Sequence, residues 1–269
     1  MIVADEGSPL HDLTRPAHVC WVVDDDAGYV DHAGRFLSHS KNAARKPLAF
    51  GSCGTSLDVL EPIAALSLDP RLSILENGPL RPEPMLTAFR DQAALARAEG
   101  FEGISVVADM DWLIPTRPTT DDLVRFELLL DQVVSKLDAT VVCAYRRSSF
   151  DVDAIACARS VHPLDLGADA PPHFRLVAGE GDVWRLSGEI DLGVSSHLAA
   201  ALTAVTAQRR CEIDVTGLGF IDVRGMATLA DAARRSHTPM RLLGASRVLR
   251  RHWQLAGFDE YAPMLELVA

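Results

Sequence analysis

The sequence predicts an α/β fold in two domains, each built from a sheet and the helices that cover it. In residues 16–167, short apolar runs of strand length alternate with longer amphipathic segments, as in a parallel sheet buried on both faces. A second series of strands and helices fills residues 173–269. Between the two series, residues 168–172 include two prolines, which cannot join a central strand or continue a helix. We therefore expect this segment to be a linker, and residues 1–15 to be an N-terminal tail.

The first domain is expected to contain four strands and four helices in strict alternation. The strands are apolar throughout, whereas the helices carry apolar residues on one face only. In chain order the expected elements are strand 17–23, helix 29–44, strand 47–51, helix 85–99, strand 104–108, helix 120–137, strand 139–145 and helix 150–161.

The second domain is expected to follow a different order, with two adjacent strands before the first helix. Within it, a strand over 212–215 is followed by Gly217 and Gly219, which indicate a turn, and Asp222 is placed to cap the next helix. The expected elements are strands 174–178 and 183–186, helix 194–206, strand 212–215, helix 225–236, strand 240–243, helix 246–256 and a closing strand.

The composition favours a folded cytoplasmic protein without a resident cofactor or metal. The 269 residues are 48% hydrophobic and 23% charged, which is enough to bury two cores. No apolar run approaches the roughly 18–20 residues of a membrane helix, and the start lacks the positive segment of a signal peptide. The five cysteines show no paired metal spacing, so we expect buried reduced thiols.

The charge distribution argues against a nucleic-acid partner. Residues 1–167 carry 25 acidic and 15 basic side chains, and residues 168–269 carry 12 acidic and 11 basic ones. An acidic surface repels the phosphate backbone, and no helix-turn-helix pattern or aromatic platform accompanies the arginines of the second half.

Two motifs of the second domain point to a family. Trp184-Arg-Leu-Ser-Gly-Glu-Ile-Asp191 and Phe220-Ile-Asp-Val-Arg-Gly225 resemble the signature of the STAS domain of bacterial anti-sigma factor antagonists, Gly-Glu-Ile-Asp-Leu followed by Phe-Ile-Asp-Ser-Ser-Gly. The resemblance implies a bacterial regulator of transcription that binds an anti-sigma factor or a serine-kinase-type protein. It also implies that the partner contacts one loop and the helix start that follows it: Gly219, Phe220, Asp222, Val223, Arg224, Gly225 and Met226.

The chain departs from that signature at one position. The residue after the aspartate is usually a serine that the partner kinase phosphorylates, and here it is Val223, which has no hydroxyl. A phosphate there would add about two negative charges to an apolar surface. We therefore expect a constitutive docking module. The alternative is that Ser195, Ser196 or Thr216 is phosphorylated instead, although hydroxyls near helix starts more often serve as caps.

The first domain resembles a second family through the order of several short motifs. These are His18-x-Cys20, Gly100-Phe-Glu-Gly103, Ala108-Asp-Met-Asp-Trp112, Cys143-Ala-Tyr-Arg-Arg147 and His162-Pro163, and together they resemble the MEDS domain of methanogen and methylotroph regulators. The resemblance implies a sensory domain with a RecA-like parallel sheet, degenerate relative to nucleotide-binding folds.

The residues that would bind nucleotide are missing. A P-loop needs a glycine-rich turn, a lysine and a Ser or Thr, whereas the first strand is followed by three aspartates over 24–26, which repel a triphosphate. Residues 51–56, Gly-Ser-Cys-Gly-Thr-Ser, also lack the lysine and are expected to form a turn. A metal held by residues 24–26 is an alternative to their role as caps of the next helix.

A small-molecule site is expected where the parallel strands end. Asp109 and Asp111 follow a strand at the edge where open sheets bind ligands, and Trp112 with Tyr145 would form an aromatic wall, the alternative being that both aromatic rings close the core. Asp24 lies at the same edge. His18 and Cys20 share a strand face and suggest a thiol or metal sensor, or simply core packing.

No catalytic constellation is present, so the chain is expected to be non-enzymatic. Two alternatives stay open. One is a small-molecule or nucleotide sensor whose STAS-like domain forms a homodimer, and the other is a weak RecA-like ATPase.

Overall fold

The computed structural model describes residues 10, 13, 16–24, 26–51, 67–68, 81–116, 118–207 and 211–269. The chain forms two compact units. The first takes in the described residues of 1–118, 133–155 and 163–170, and the second takes in those of 119–132, 156–162 and 171–269. Most of the tail predicted for 1–15, and residues 52–56 of the second candidate loop, lie outside the described residues.

The first unit contains a six-stranded parallel sheet in the order β3-β2-β4-β5-β1-β6. The four long strands β1, β2, β4 and β5 are buried almost throughout, which is why their sequences are continuously apolar rather than alternating. The strands are β1 (Ala17–Val23), β2 (Arg45–Phe50), β3 (Ser67–Leu68), β4 (Gly103–Asp109), β5 (Ala139–Arg146) and β6 (Leu164–Leu166).

The strand β2 begins two residues before the predicted start, because two basic side chains enter the sheet with partners. Lys46 is buried, and its Nζ lies 2.8 Å from a carboxylate oxygen of Glu99. Arg45 donates hydrogen bonds to the carbonyl oxygens of Ile104 and Asp138. The short strands β3 and β6 were not predicted.

The described residues up to 160 include four α-helices. Reciprocal hydrogen bonds between Thr119 and Asp122 fix the start of α3, and the Asp151 carboxylate accepts from the Ala154 amide in the first turn of α4. The helices are α1 (Asp26–Asn42), α2 (Glu83–Ala98), α3 (Thr120–Val134) and α4 (Val152–Ser160), and a 3-10 segment spans Met110–Thr116.

The second unit contains a sheet in the order β10-β8-β9-β11-β12, in which neighbouring strands are parallel, and β7 pairs antiparallel with β8. The strands are β7 (Phe174–Ala178), β8 (Trp184–Ile190), β9 (Cys211–Asp214), β10 (Leu218–Ile221), β11 (Met240–Leu243) and β12 (Leu265–Leu267). Its C-terminal helices are α5 (Ser195–Thr206), α6 (Val223–Arg235), α7 (Arg247–Leu255) and α8 (Phe258–Tyr261).

The prediction of a plain glycine turn before α6 is wrong, because β10 occupies most of it. The chain turns at Gly217, where a Cβ would lie 2.8 Å from the Cβ of Ser187. It then pairs with β8 through Leu218, Phe220 and Ile221, with a bulge at Gly219. The resulting strand-to-helix connection is short and tightly held, which positions the side chains on either side of Asp222.

An apolar cluster forms the core of the second unit. It surrounds the buried side chains of Phe174 and Trp184 and includes the inner faces of α5 and α6. Residues of α3 and of the end of α4 belong to the same cluster, among them Val124 and Leu128.

Candidate functional site

The connection between β10 and α6 is an elbow held by one capping residue. The Asp222 carboxylate accepts a hydrogen bond of 2.7 Å from the Gly225 amide, and the Asp222 carbonyl accepts from the Met226 amide. The Asp222 amide in turn donates to the Ile190 carbonyl of β8. These bonds satisfy amides that a helix start otherwise leaves free, and they confirm the cap predicted at Asp222.

The predicted partner-binding residues divide into an outer and an inner set. Phe220 and Val223 are 52% and 62% exposed, and Gly219 and Arg224 are also exposed. Asp222 is half-buried. Gly225 and Met226 are buried and support the elbow from within. At Gly225 a Cβ would lie 2.7 Å from side-chain carbons of Ile190 and Ile221, so the helix packs closely on the sheet only because this residue is glycine.

The elbow forms one side of a surface groove of about 740 Å³. Helix α7 forms the other side, which the sequence did not reveal because that helix follows the elbow by more than twenty residues. We call this feature the elbow groove. Its apolar lining includes Phe220, Val223, Met226, Val248, Leu249 and Leu255.

In the first unit, Arg146 forms ion pairs with three carboxylates at the carboxyl end of the parallel sheet. Its guanidinium makes two hydrogen bonds to Asp109, of 2.6 and 3.0 Å, and lies 2.7 Å from Asp26 and 2.9 Å from Asp111. Arg146 is buried, and although burial opposes its charge, the hydrogen bonds and charge of Asp109 hold its pKa above the usual value. The sequence placed Asp109 and Asp111 at this edge but did not identify Arg146 as their counterion.

Tyr29 completes this carboxylate cluster. The Arg146 guanidinium lies over the Tyr29 ring at 4.6 Å from its centroid. Burial, followed by the charge of Asp109, raises the pKa of the Tyr29 hydroxyl. Burial also raises the pKa of Asp111, which accepts a hydrogen bond from Ser149. Within the described part of the chain, the Tyr29 hydroxyl and one Asp111 oxygen are buried without a hydrogen-bond partner.

Trp112 and Tyr145, for which the sequence leaves an aromatic wall and a place in the core as alternatives, are both buried among core residues. Trp112 is 2% exposed and contacts Phe50 edge-on at 5.4 Å between centroids. Tyr145 is fully buried and contacts Phe150 in the same way at 5.0 Å. Both rings therefore pack against neighbouring aromatic side chains.

The remaining predicted ligand residues lie apart from that cluster or at its rim. Asp24 is exposed and forms an ion pair of 2.7 Å with Arg147. His18 and Cys20 are buried in β1, and the His18 Nε2 lies 3.5 Å from the Cys143 thiol. Cys20 is in register with Cys143 on the neighbouring strand. The four cysteines among the described residues are buried and form no disulfide there, as predicted, and burial raises the pKa of one of them, Cys211, to about 12.

Comparison with protein families identifies both regions. The model of the MEDS family, described as the methanogen/methylotroph, DcmR sensory domain, matches residues 17–163, more than half of the chain. The chain belongs to the MEDS family. The STAS_2 model, described as the Mlab, STAS domain, matches residues 177–268, so a STAS domain follows the MEDS domain. Among curated proteins, none matches the chain.

The order of the two domains confirms the resemblances found in the sequence. A MEDS domain followed by a STAS domain is the composition of a signalling regulator of the anti-sigma factor antagonist type, and STAS domains mediate protein–protein interactions. The elbow groove lies entirely within the STAS domain. None of the described helices combines the length and apolar character needed to cross a membrane.

The alternative phosphorylation positions of the STAS domain are accessible but are not caps. Val194 occupies the N-cap position of α5 and makes no side-chain cap bond. Ser195 is half-buried, and its hydroxyl donates to the Leu192 carbonyl, whereas Ser196 and Thr216 are exposed. The expectation that these hydroxyls serve as helix caps is therefore wrong.

Proposed function

We propose that the chain is a non-enzymatic signalling regulator whose STAS domain binds an anti-sigma factor or serine-kinase-type protein through the β10–α6 elbow. The observation that carries this proposal is the exposure of Phe220 and Val223 on adjacent elements beside an apolar groove. Large apolar side chains grouped on the surface of a soluble domain characterise protein interaction sites. Arg224, exposed next to Val223, adds a positive charge at the edge of this surface.

The proposal includes a constitutive mode of binding. Val223 occupies the first helical position, where an accepted phosphate would place about two negative charges against an apolar surface. Valine cannot accept that phosphate, so the elbow keeps its apolar form in the presence of an active kinase. The Gly225 amide is also bonded to Asp222, which keeps the elbow in one conformation.

The binding surface is tested by calorimetry with a purified anti-sigma factor of the serine-kinase type. Val223→Asp should weaken binding about tenfold or more, because it puts a charge in an apolar contact. Met264→Asp is the matched control, since Met264 is 43% exposed and precedes β12, at the edge of the parallel strands opposite the elbow. Equal affinities for the two variants would refute the proposed surface.

The constitutive mode is tested by intact-mass measurement after incubation with the same kinase and ATP. We expect no added phosphate on the natural chain and one on Val223→Ser, with loss of binding after that modification. A phosphate on the natural chain, at Ser196 for example, would overturn the constitutive mode while leaving the docking surface to be judged by calorimetry.

The carboxylate cluster of the MEDS domain supports a second candidate function, small-molecule sensing. The buried Tyr29 hydroxyl and Asp111 oxygen without partners provide a donor and an acceptor for a small polar ligand. Binding of ATP is disfavoured, because Arg146 is already neutralised by the carboxylates around it and the excess negative charge repels phosphates. Native mass spectrometry of the purified chain tests for a retained small molecule, and calorimetry with ATP and magnesium tests for nucleotide.

A further inference from the structure

Helix α7 of the STAS domain has two apolar faces. Leu249 and Trp253 point into the core, at 6% and 2% exposure. Val248 and Leu255, by contrast, are 64% and 71% exposed. These two residues are seven apart, so they lie on one face of the helix about 10 Å from each other along its axis. A helix needs one apolar face to be held by its own domain, and the second face therefore requires another explanation.

The exposed face of α7 continues the surface of the elbow. Val248, His252 and Leu255, at positions i, i+4 and i+7, line the elbow groove opposite Phe220 and Val223. The groove thus has apolar side chains on both sides, and those side chains are more than half exposed at its edges. A small ligand inside the groove would leave most of that apolar area in water, whereas a polypeptide lying along it would cover both edges.

Arginines are the main charged side chains on the two elements that flank the elbow groove, and the groove lining includes one carboxylate, that of Asp222. Helix α7 carries Arg247, Arg250 and Arg251 and no acidic residue. Arg224 is exposed on the opposite side of the groove. The nearest acidic side chain on the elbow, Asp222, is engaged with the Gly225 amide as the helix cap. A partner with acidic residues beside its apolar contacts complements this distribution.

We propose that α7 is the second wall of a helix-binding groove, and that its occupant is an amphipathic helix of the partner protein with an apolar stripe and acidic flanks. The inference rests on the proposed function and names the chemistry of the partner. Apolar residues at i, i+3, i+4 and i+7 of such a helix would contact Val248 and Leu255 on one side and Phe220 and Val223 on the other. A second copy of this chain is a poorer occupant, because a symmetric dimer through this face would bring the arginines of both copies together.

The groove is tested directly with two synthetic 18-residue peptides and the full chain. Both peptides carry leucine at helical spacing, and their remaining positions are mainly glutamate in one and mainly lysine in the other. Fluorescence anisotropy should show that the glutamate peptide binds at least about tenfold more tightly than the lysine peptide. The double variant Arg247→Glu, Arg251→Glu should reverse that preference. Equal binding of the two peptides, or binding of neither, would overturn the inference.

The apolar wall is tested with Leu255→Asp, which changes an exposed residue and should leave the thermal unfolding midpoint unchanged. We expect this variant to bind the glutamate peptide and the kinase-type anti-sigma factor about tenfold or more weakly than the natural chain does. Met264→Asp should bind both as tightly as the natural chain. If Val223→Asp abolishes binding of the anti-sigma factor and Leu255→Asp has no effect, the α7 wall is refuted and the proposed function stands. A dimer that Leu255→Asp dissociates would show a second copy in the groove and would refute the inference.

Discussion

The side chains of Arg146 and Asp109 form a buried ion pair with two parallel hydrogen bonds, joining the ends of two neighbouring strands of the parallel sheet. The fork of the guanidinium matches the carboxylate, and the exposure of both residues is below a tenth. Removing one partner of such a pair strongly lowers the free energy of unfolding, because the other charge then stays buried without compensation.

We predict that Arg146→Ala lowers the free energy of unfolding by about 3–5 kcal/mol, since it leaves the Asp109 carboxylate uncompensated. The matched control is Arg35→Ala, which removes an ion pair with Asp31 whose side chains are both 51% exposed, and which should cost less than about 1 kcal/mol. Urea denaturation followed by circular dichroism measures both. Similar decreases in the free energy of unfolding for the two variants would show that the buried Arg146 pair stabilises the fold no more than the exposed pair does.

A second prediction concerns the pH dependence of stability at Asp111. Burial, partly opposed by Arg146, raises the pKa of this carboxyl from its ordinary value of 3.8. The folded chain therefore binds this proton more tightly than the unfolded chain does. The resulting contribution to stability is present below the unfolded pKa and is lost as pH rises through the folded pKa. As the pH rises from about 4 through the folded pKa, the natural chain should lose stability relative to Asp111→Asn.

The control for this prediction is Asp31→Asn, which makes the same change of net charge at an exposed helix position. Denaturation curves at several pH values give the stability difference between each variant and the natural chain. If that difference changes with pH equally for both variants, the effect comes from net charge, and the raised pKa of Asp111 does not contribute.

Sequence periodicity predicts the helices and strands whose signals lie within the element itself. It fails for elements that form only through contacts with residues distant in sequence. The strands β1 and β5 and the helix α6 were predicted closely, because an apolar run and the capping residue Asp222 are local signals. At β10 the sequence predicts a turn, because the segment contains a glycine, whereas its ladder with β8 makes it a strand.

The same limit applies to the candidate sites. Asp109 and Arg146 are 37 residues apart in sequence, and only the register of β4 and β5 brings them together. The second wall of the elbow groove was missed for a related reason, since Val248 and Leu255 look like ordinary core positions of an amphipathic helix. Their exposure depends on which face of α7 the sheet covers, and the sequence of the helix alone does not determine that.

A third prediction concerns the close packing at Gly225. A Cβ at this position would lie 2.7 Å from β-branched side chains of β8 and β10, so Gly225→Ala should cost about 1–3 kcal/mol through overpacking. The better helix propensity of alanine offsets about 1 kcal/mol of this cost. Gly219→Ala is the control, because its nearest contact would be 3.6 Å away, and it should be nearly neutral. Thermal unfolding compares the two, and a neutral Gly225→Ala would contradict the packing argument.

The last prediction separates the support of the elbow from its contact with a partner. Asp222→Ala removes the cap on the Gly225 amide and should lower the free energy of unfolding by about 1 kcal/mol. Asp222→Asn keeps an acceptor oxygen and should retain most of the capping energy.

If the elbow is the docking surface, Asp222→Ala should also weaken binding of the anti-sigma factor, because a frayed first turn no longer holds Val223 beside Phe220. Asp222→Asn should bind normally, since the cap, rather than the charge, positions those side chains. Calorimetry and thermal unfolding on the same two variants give both quantities. Loss of binding in Asp222→Asn with stability intact would instead make the Asp222 carboxylate a direct contact of the partner.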